Sequence, residues 1–239
     1  MQNTSPTYDA ILASVNHWFE YKVNIAGVDY GEDMMRTLTT KHEMFDADPS
    51  VGKAIAGEID LTMNMPSADI PPMATIIPYV RVCNENAQSE WIQQGVFFID
   101  TRQRSKNSSN VSVLAIHGFD AMLKAEQPFQ SDTITGDSTD TQMVAEIASI
   151  MGVTVDPRTY TLMTEGYTIP LPTGYSCREV LGYIASAYVG CFIMSDTGQL
   201  RLVSLTELPP ESNLLYAQVD GQDYYLVFGT GANATRILV

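Results

Sequence analysis

Apolar and polar positions alternate with a period of two along much of the first half of the chain, the spacing of strands with one buried face. Trp18 to Ile25 is the first such run; Gly27 ends it, and Val28-Asp29-Tyr30-Gly31 is expected to turn the chain. Met34 to Glu43 is ambiguous, although Thr37, Thr39 and Thr40 favour extended chain. Asp46-Ala-Asp-Pro-Ser50 reads as a turn. From Gly52 a long run follows, with Ile55, Gly57, Ile59, Leu61 and Met63 on one face and Ala54, Ala56, Glu58, Asp60, Thr62 and Asn64 on the other. Thr75 to Val82 predicts a further strand, placed at an edge or a bulge by Pro78, which cannot donate to a ladder. The strongest local signal is a hairpin. Gly95 to Arg104 and Val111 to Phe119 are both rich in strand-forming residues, and the polar Ser105-Lys-Asn-Ser-Ser-Asn110 joins them.

Helical spacing takes over later. Near the N-terminus, Ser5 caps and Pro6 opens a short helix over 5–16, with Tyr8, Ile11, Leu12 and Val15 on one face. Asp120 to Lys124 starts another, stopped near Pro128. Residues 130–140 are polar and rich in Ser, Thr, Asp and Gly, as a boundary should be. Beyond them the pattern is helix then strand, twice. Thr139 or Asp140 caps a helix carrying Met143, Val144, Ile147, Ile150 and Met151, which Gly152 ends. Ser176 and Glu179 form a capping box for a second, carrying Val180, Leu181, Ile184 and Tyr188 and ending at Gly190. Cys191-Phe-Ile-Met194 and Leu200-Arg-Leu-Val203 then make a hairpin around Asp196-Thr-Gly198. Pro209-Pro210 marks another boundary, and Tyr224 to Phe228 and Arg236 to Val239 read as strands around Gly229-Thr-Gly231. The pattern is α+β and mainly antiparallel. It divides into a β domain over 1–128, a small helix–hairpin α/β domain over 129–206, and C-terminal strands over 207–239. The apolar last residues suggest that the sequence ends before the protein does.

Composition narrows the function. The chain has 239 residues, of which 45% are hydrophobic and 17% charged, a globular balance. Thirteen cations face 28 acids, for a net charge of −15 spread evenly along the chain. Such a surface argues against sequence-independent nucleic-acid binding and against docking on an anionic membrane. The longest uncharged stretch, Val180 to Ser195, is 16 residues and is broken by Gly182 and Gly190. At about 24 Å as a helix it falls short of a hydrocarbon core of about 30 Å, so no membrane span is expected. Cys83, Cys177 and Cys191 are too scattered for a disulfide framework and read as free thiols. Cys177 falls in a helix's first turn, where a thiol pKa can drop, but with no paired histidine it reads as packed.

Catalytic patterns are missing. His17, His42 and His117 are not spaced as metal ligands, no Gly-x-Ser-x-Gly supplies a nucleophile, and Gly229-Thr-Gly-Ala-Asn233 lacks the lysine of a phosphate loop. His117 with Asp120 is a conceivable catalytic pair, against the plainer reading of a histidine at a strand end. No catalytic, cofactor or metal residue is assigned, and no enzymatic activity is expected. Arg102, Arg104 and Lys106 are the single basic cluster; alternation puts Arg102 and Arg104 on one face of the hairpin, with Lys106 at its turn. They read either as a solvated tip or as a contact with an acidic neighbouring subunit.

Four stretches together resemble the baseplate hub (tail hub) proteins of tailed phages and of prophage-derived tail-like particles of Gram-positive bacteria. They are Asp48-Pro-Ser-Val-Gly52 through Ala56-Gly-Glu-Ile-Asp60; Ile77-Pro-Tyr-Val-Arg81 continuing to Glu90-Trp-Ile-Gln-Gln-Gly-Val-Phe-Phe-Ile-Asp-Thr-Arg102; Ala115-Ile-His-Gly-Phe-Asp-Ala-Met122; and the helix–hairpin from Cys177 to Leu205. The resemblance implies a tail tube-type β domain, a sheet or partial barrel with a packed helix, into which a small α/β domain is inserted. It also implies a homotrimer in the virion tail, assembled in the bacterial cytoplasm. Its partners would be the tail tube, distal tail or tail-tip proteins and the tape measure protein. DNA would cross its acidic channel without specific binding. Residues 207–239 hold only the start of the second tube-like domain such hubs usually have, or strands returning to the first. Two other functions remain in view. A tail-tip module for host surfaces or carbohydrates would show exposed aromatics in a shallow groove, for which Trp18 and Trp91 are the only indoles. A tail-associated cell-wall hydrolase is the third.

Overall fold

The computed structural model describes residues 4–44, 50–66, 69–106 and 112–205, and the backbone alone of four short strands between 216 and 236. The turns expected at 46–50, 105–110 and 229–231 lie largely outside those residues.

The first half builds one antiparallel sheet. Its strands are β1 (Trp18–Ile25), β2 (Val28–Gly31), β3 (Met35–Lys41), β5 (Glu58–Asn64), β6 (Thr75–Cys83), β8 (Phe97–Lys106) and β9 (Ser112–Asp120), with β4 (Lys53–Ala54) set apart and β7 (Ile92–Gln93) beside β6. The order is β2-β1-β6-β8-β9-β5-β3. The β8–β9 hairpin forms as its pattern predicts, with a register shift between Ile99 and Thr101. The threonine-rich 35–41 segment is extended and pairs with β5.

Three local expectations change. Val28–Gly31 is a strand and not a turn, because Ala26 and Gly27 alone reverse the chain, at φ 52° and 88°. Two left-handed residues suffice for a hairpin, so alternation resumes at once. The run from Gly52 is not one strand. Ala54 is buried in β4, while Ile59, Leu61 and Met63 are buried in β5, so the buried face changes parity between them. The third is Pro78. The strand order puts β6 inside the sheet. On its β8 side, however, pairing covers only Thr75 and Ile76, and β7 takes over at Tyr79 and Val80. Pro78 falls in the gap, its carbonyl accepting from the Gln94 N–H at 2.9 Å. In an extended strand a residue's N–H and C=O point the same way, so the missing donor of Pro78 also faces the gap.

Ile25 and Val23 of β1 share one core with Ile76 of β6, Phe97 and Ile99 of β8, Leu114 and Ile116 of β9, and Ile59, Leu61 and Met63 of β5. Tyr30 of β2 belongs to that core and Met35 and Leu38 of β3 pack against it, while Phe19 and Tyr21 of β1 line one pocket with Met35 and Leu38, so the two ends of the strand order approach each other and the sheet bends round. Among the described residues β2 and β3 have no outer partner, and no hydrogen-bonded barrel closes. Helix α1 (Pro6–Leu12), capped by Ser5, is shorter than its pattern predicts. Only Ile11 is buried on it and Val15 is wholly exposed, so no packing holds a further turn.

The second core follows β9. Asp120 caps a 3-10 helix over Ala121–Glu126. Next come β10 (Ser138–Thr139), α2 (Asp140–Met151), α3 (Pro157–Leu162), β11 (Thr168–Ile169), α4 (Cys177–Ala187), β12 (Gly190–Met194) and β13 (Leu200–Ser204). Capping boxes open α2 at Thr139 and Gln142 and α4 at Ser176 and Glu179, and Gly152 ends α2. Met143, Val144, Ile147 and Met151 of α2 pack with Val180, Leu181 and Ile184 of α4, Phe192 of β12, and Leu200 and Leu202 of β13. Helix α4 stops at Ala187. Gly190 is the first residue of β12 instead of a helix stop, and a Cβ there would lie 2.4 Å from the Val203 carbonyl oxygen. The third strand of this sheet is β4, which pairs with β12 in parallel. The architecture is α+β, mostly antiparallel, with α2, α3 and α4 gathered on the second core and α1 beside β6 of the first sheet.

Candidate functional site

The basic cluster lies on the outer half of β8. Pairing with β6 ends at Thr75–Phe98, whereas pairing with β9 continues to Lys106–Ser112. Beyond the register shift, β8 therefore keeps an edge with no strand against it among the described residues. Arg102 and Arg104 share a face, as alternation requires, and both reach one stretch of chain. Arg102 donates to the Ile70 carbonyl, and Arg104 lies 3.5 Å from an exposed Asp69 carboxylate. Lys106 is exposed at the end of the strand.

The ionisable groups singled out from sequence have structural partners. His117 does not meet Asp120: neighbours three apart on a strand face opposite sides. Its Nδ1 is 2.9 Å from Asp60 across the β5–β9 pair, on the solvent side. Asp120 points inward, its two oxygens accepting from the Gly57 N–H at 2.7 Å and the Met122 N–H at 2.9 Å. Burial pushes its carboxyl up to about 6. Cys83, Cys177 and Cys191 are free and buried. Burial also pushes the Cys177 thiol up to about 11, which overrides the helix N-terminus and leaves it packed and protonated. Among the described residues no group of His, Cys, Asp and Glu could hold a metal ion, and no helix is long and apolar enough to cross a membrane.

Two aromatic surfaces stand out. On the outer sheet face, the Trp91 ring lies 4.4 Å from the Arg81 guanidinium and 5.0 Å from the Lys22 ammonium, while Arg81 also donates to Glu20 at 2.8 Å. Both cations reach the ring from the same face of the sheet, so the side of Trp91 turned toward them is not free for stacking. Trp18 beside it donates to Glu20 at 3.4 Å. The second surface is a cleft of about 440 Å³ between α4 and residues 167–175. Tyr167, Tyr175, Tyr183 and Tyr188 line it with Pro170 and Pro172. Three of these rings are well exposed: Tyr183 at 63%, Tyr167 at 44% and Tyr175 at 42%. The sequence reading missed this cleft. Its signal was four of the chain's 12 tyrosines within residues 167–188, interleaved with two prolines.

By sequence, no protein-family model and no curated protein matches the chain. By structure, the chain is similar to two solved tail proteins. One is the 43 kDa tail protein of prophage MuSo2 from Shewanella oneidensis, at a TM-score of 0.53 and 15% identity, over 80% of this chain and 57% of that one. The other is the tail protein from Neisseria meningitidis MC58, at a TM-score of 0.52 and 12% identity, over 81% of this chain and 53% of that one. This chain thus spans little more than half the length of either. The likeness is one of fold: the α+β architecture described above is shared with part of each of these two tail proteins.

Proposed function

We propose that the chain is a structural subunit of a phage or prophage tail, a baseplate hub that joins the tail tube to the tail tip as a homotrimeric ring around the channel. The observation that carries this reading is the first sheet. It bends round a shared core in a fold like that of two tail proteins, yet leaves β2, β3 and the outer half of β8 without a neighbour among the described residues. Unpaired edges invite pairing with another chain, and a ring of subunits satisfies them. In this reading residues 1–128 are the tube-like unit and 129–206 the inserted one. Arg102, Arg104 and Lys106 meet an acidic neighbour, and the net charge of −15 keeps passing DNA from adhering to the lumen. The role is one of assembly, not catalysis.

Native mass spectrometry of the full-length protein at rising concentration tests it, together with copurification with tail particles. Trimers, or association that grows with concentration, are expected. A protein that stays monomeric at high concentration and never accompanies tails refutes the hub.

A further inference from the structure

The tyrosine cleft on the second core is built in advance of any ligand. Tyr188 donates its hydroxyl to Asp140 and packs edge-on against Tyr167 at 5.4 Å, while Tyr175 and Tyr183 form a second edge-on pair at 5.6 Å. Asp140 is the cleft's one ionisable acid, and the Thr141 N–H at 2.7 Å, the Tyr167 N–H at 3.2 Å and the Tyr188 hydroxyl already occupy it. The floor therefore offers aromatic faces and hydroxyls but no open charge. The wall formed by β11 runs on through Pro170 and Pro172. Neither proline has an N–H, so a peptide could not extend that strand by a regular ladder.

Charge returns at the ends. Glu165 stands two residues before Tyr167 and is exposed; Glu179 adjoins Val180 of the lining and is exposed too, one of its oxygens, Oε2, accepting from the Ser176 N–H at 2.7 Å and hydroxyl at 3.0 Å in the capping box. Arg178, beside Glu179, is turned away toward Glu126 at 3.0 Å and the Met122 carbonyl at 3.2 Å. Residues 129–205 carry eight acids against three arginines.

We propose that this cleft docks a proline-rich peptide segment with lysine or arginine flanks, presented by an adjoining protein. A polyproline II helix comes preformed, needs no backbone ladder and fits aromatic-lined grooves. Its pyrrolidine rings pack between the tyrosines, its carbonyls accept from their hydroxyls, and its cations lie near Glu165 and Glu179. A neutral glycan would stack on the same rings and donate hydroxyls to the same carboxylates, but it carries no cation for them to attract, so its binding would be insensitive to salt. This surface is separate from the edges used in the hub reading, so either can fail alone.

Fluorescence anisotropy on the full chain tests the proposal. The probes are labelled Arg-Ala-Leu-Pro-Pro-Leu-Pro and its reversed sequence, with alanine-for-proline controls of equal charge and chitohexaose as competitor. Saturable binding with a Kd of about 10–100 μM is expected. Tyr183→Ala should weaken it about tenfold with an unchanged melting curve. Glu165→Gln should weaken it less and flatten its salt dependence. Tyr183→Phe, which keeps the ring, should retain most of it. Absence of saturation below about 1 mM for both orientations, equal binding of the alanine controls, indifference to Tyr183→Ala, or displacement of the peptide by chitohexaose would each overturn it.

Discussion

Asp120 is the residue on which the joint between the two cores can be tested. It ends β9, caps the 3-10 helix and is 3% exposed. Through its two carboxylate oxygens it holds the Gly57 N–H, at the entry to β5, and the Met122 N–H, at the start of the second core. Burial raises its pKa from 3.8 to about 6, against the opposing pull of those two N–H groups, His42 and Arg178. A displacement of that size corresponds to ~3 kcal/mol. The folded state holds the proton more tightly than the unfolded one. The contribution is therefore fully present below about pH 4 and is lost as the pH rises through about 6. Other carboxylates work in the opposite sense. Arg81 beside Glu20, Lys22 beside Asp29 and Arg158 beside Asp156 hold those groups below the usual range, so they lose stability on acidification. The informative quantity is thus the difference between the wild type and Asp120→Asn, which removes this titration alone. The asparagine oxygen can serve only one of the two N–H groups, a cost that does not depend on pH. Urea denaturation of both proteins between about pH 4 and pH 7 reads the difference. The wild type should gain ~2 kcal/mol on the variant as the pH falls over that interval, the remainder of the ~3 kcal/mol appearing only below it. A flat difference, or a gain by the variant, would refute the reasoning.

Gly190→Ala should destabilise the second core by about 1–3 kcal/mol, because the new Cβ meets a backbone carbonyl that cannot rotate away. An unchanged thermal midpoint would contradict that packing. Cys177, buried and with its thiol pushed up to about 11, should resist iodoacetamide at mildly alkaline pH until urea unfolds the chain; rapid labelling of the folded protein would place it elsewhere. Replacing Arg102, Arg104 and Lys106 by glutamine should weaken self-association, more at low salt than at high salt. If these charges serve only to keep a bare edge from pairing, the same variant should associate more, so light scattering separates the two roles by sign.

Much of the fold was legible because its signals are local. The capping boxes at Thr139 and Ser176, the β8–β9 hairpin and the β12–β13 hairpin are each fixed by residues close together in sequence. Helix α3 was equally local and was overlooked, although Asp156 as cap and Pro157 at the first position announce it. What could not be read was pairing at long range. Only the parallel contact of Lys53 and Ala54 with β12, well over a hundred residues later, breaks the 52–64 alternation into two strands. Pro78 shows the same limit. Its rule was sound, yet the edge it needs is a gap between β8 and β7 inside the sheet, which no periodicity reveals.

For the functional surfaces, the outcome turned on which aromatic rings find partners within the chain. The indoles were the natural candidates for a stacking groove. Trp91, however, falls where cross-strand register brings Lys22 opposite Tyr79 and Arg81 opposite Glu20, so two cations lie against its ring. Tyrosine tolerates solvent better, because its hydroxyl stays hydrated while its ring packs edge-on against a neighbour. That is the condition of Tyr175 and Tyr183, which touch each other and leave their remaining surface to water. A ring already held by one internal contact loses little further freedom on binding. The tyrosine cleft, not the tryptophans, therefore combines exposure with fixed geometry, and the four tyrosines between 167 and 188 carried that information without a period to reveal it.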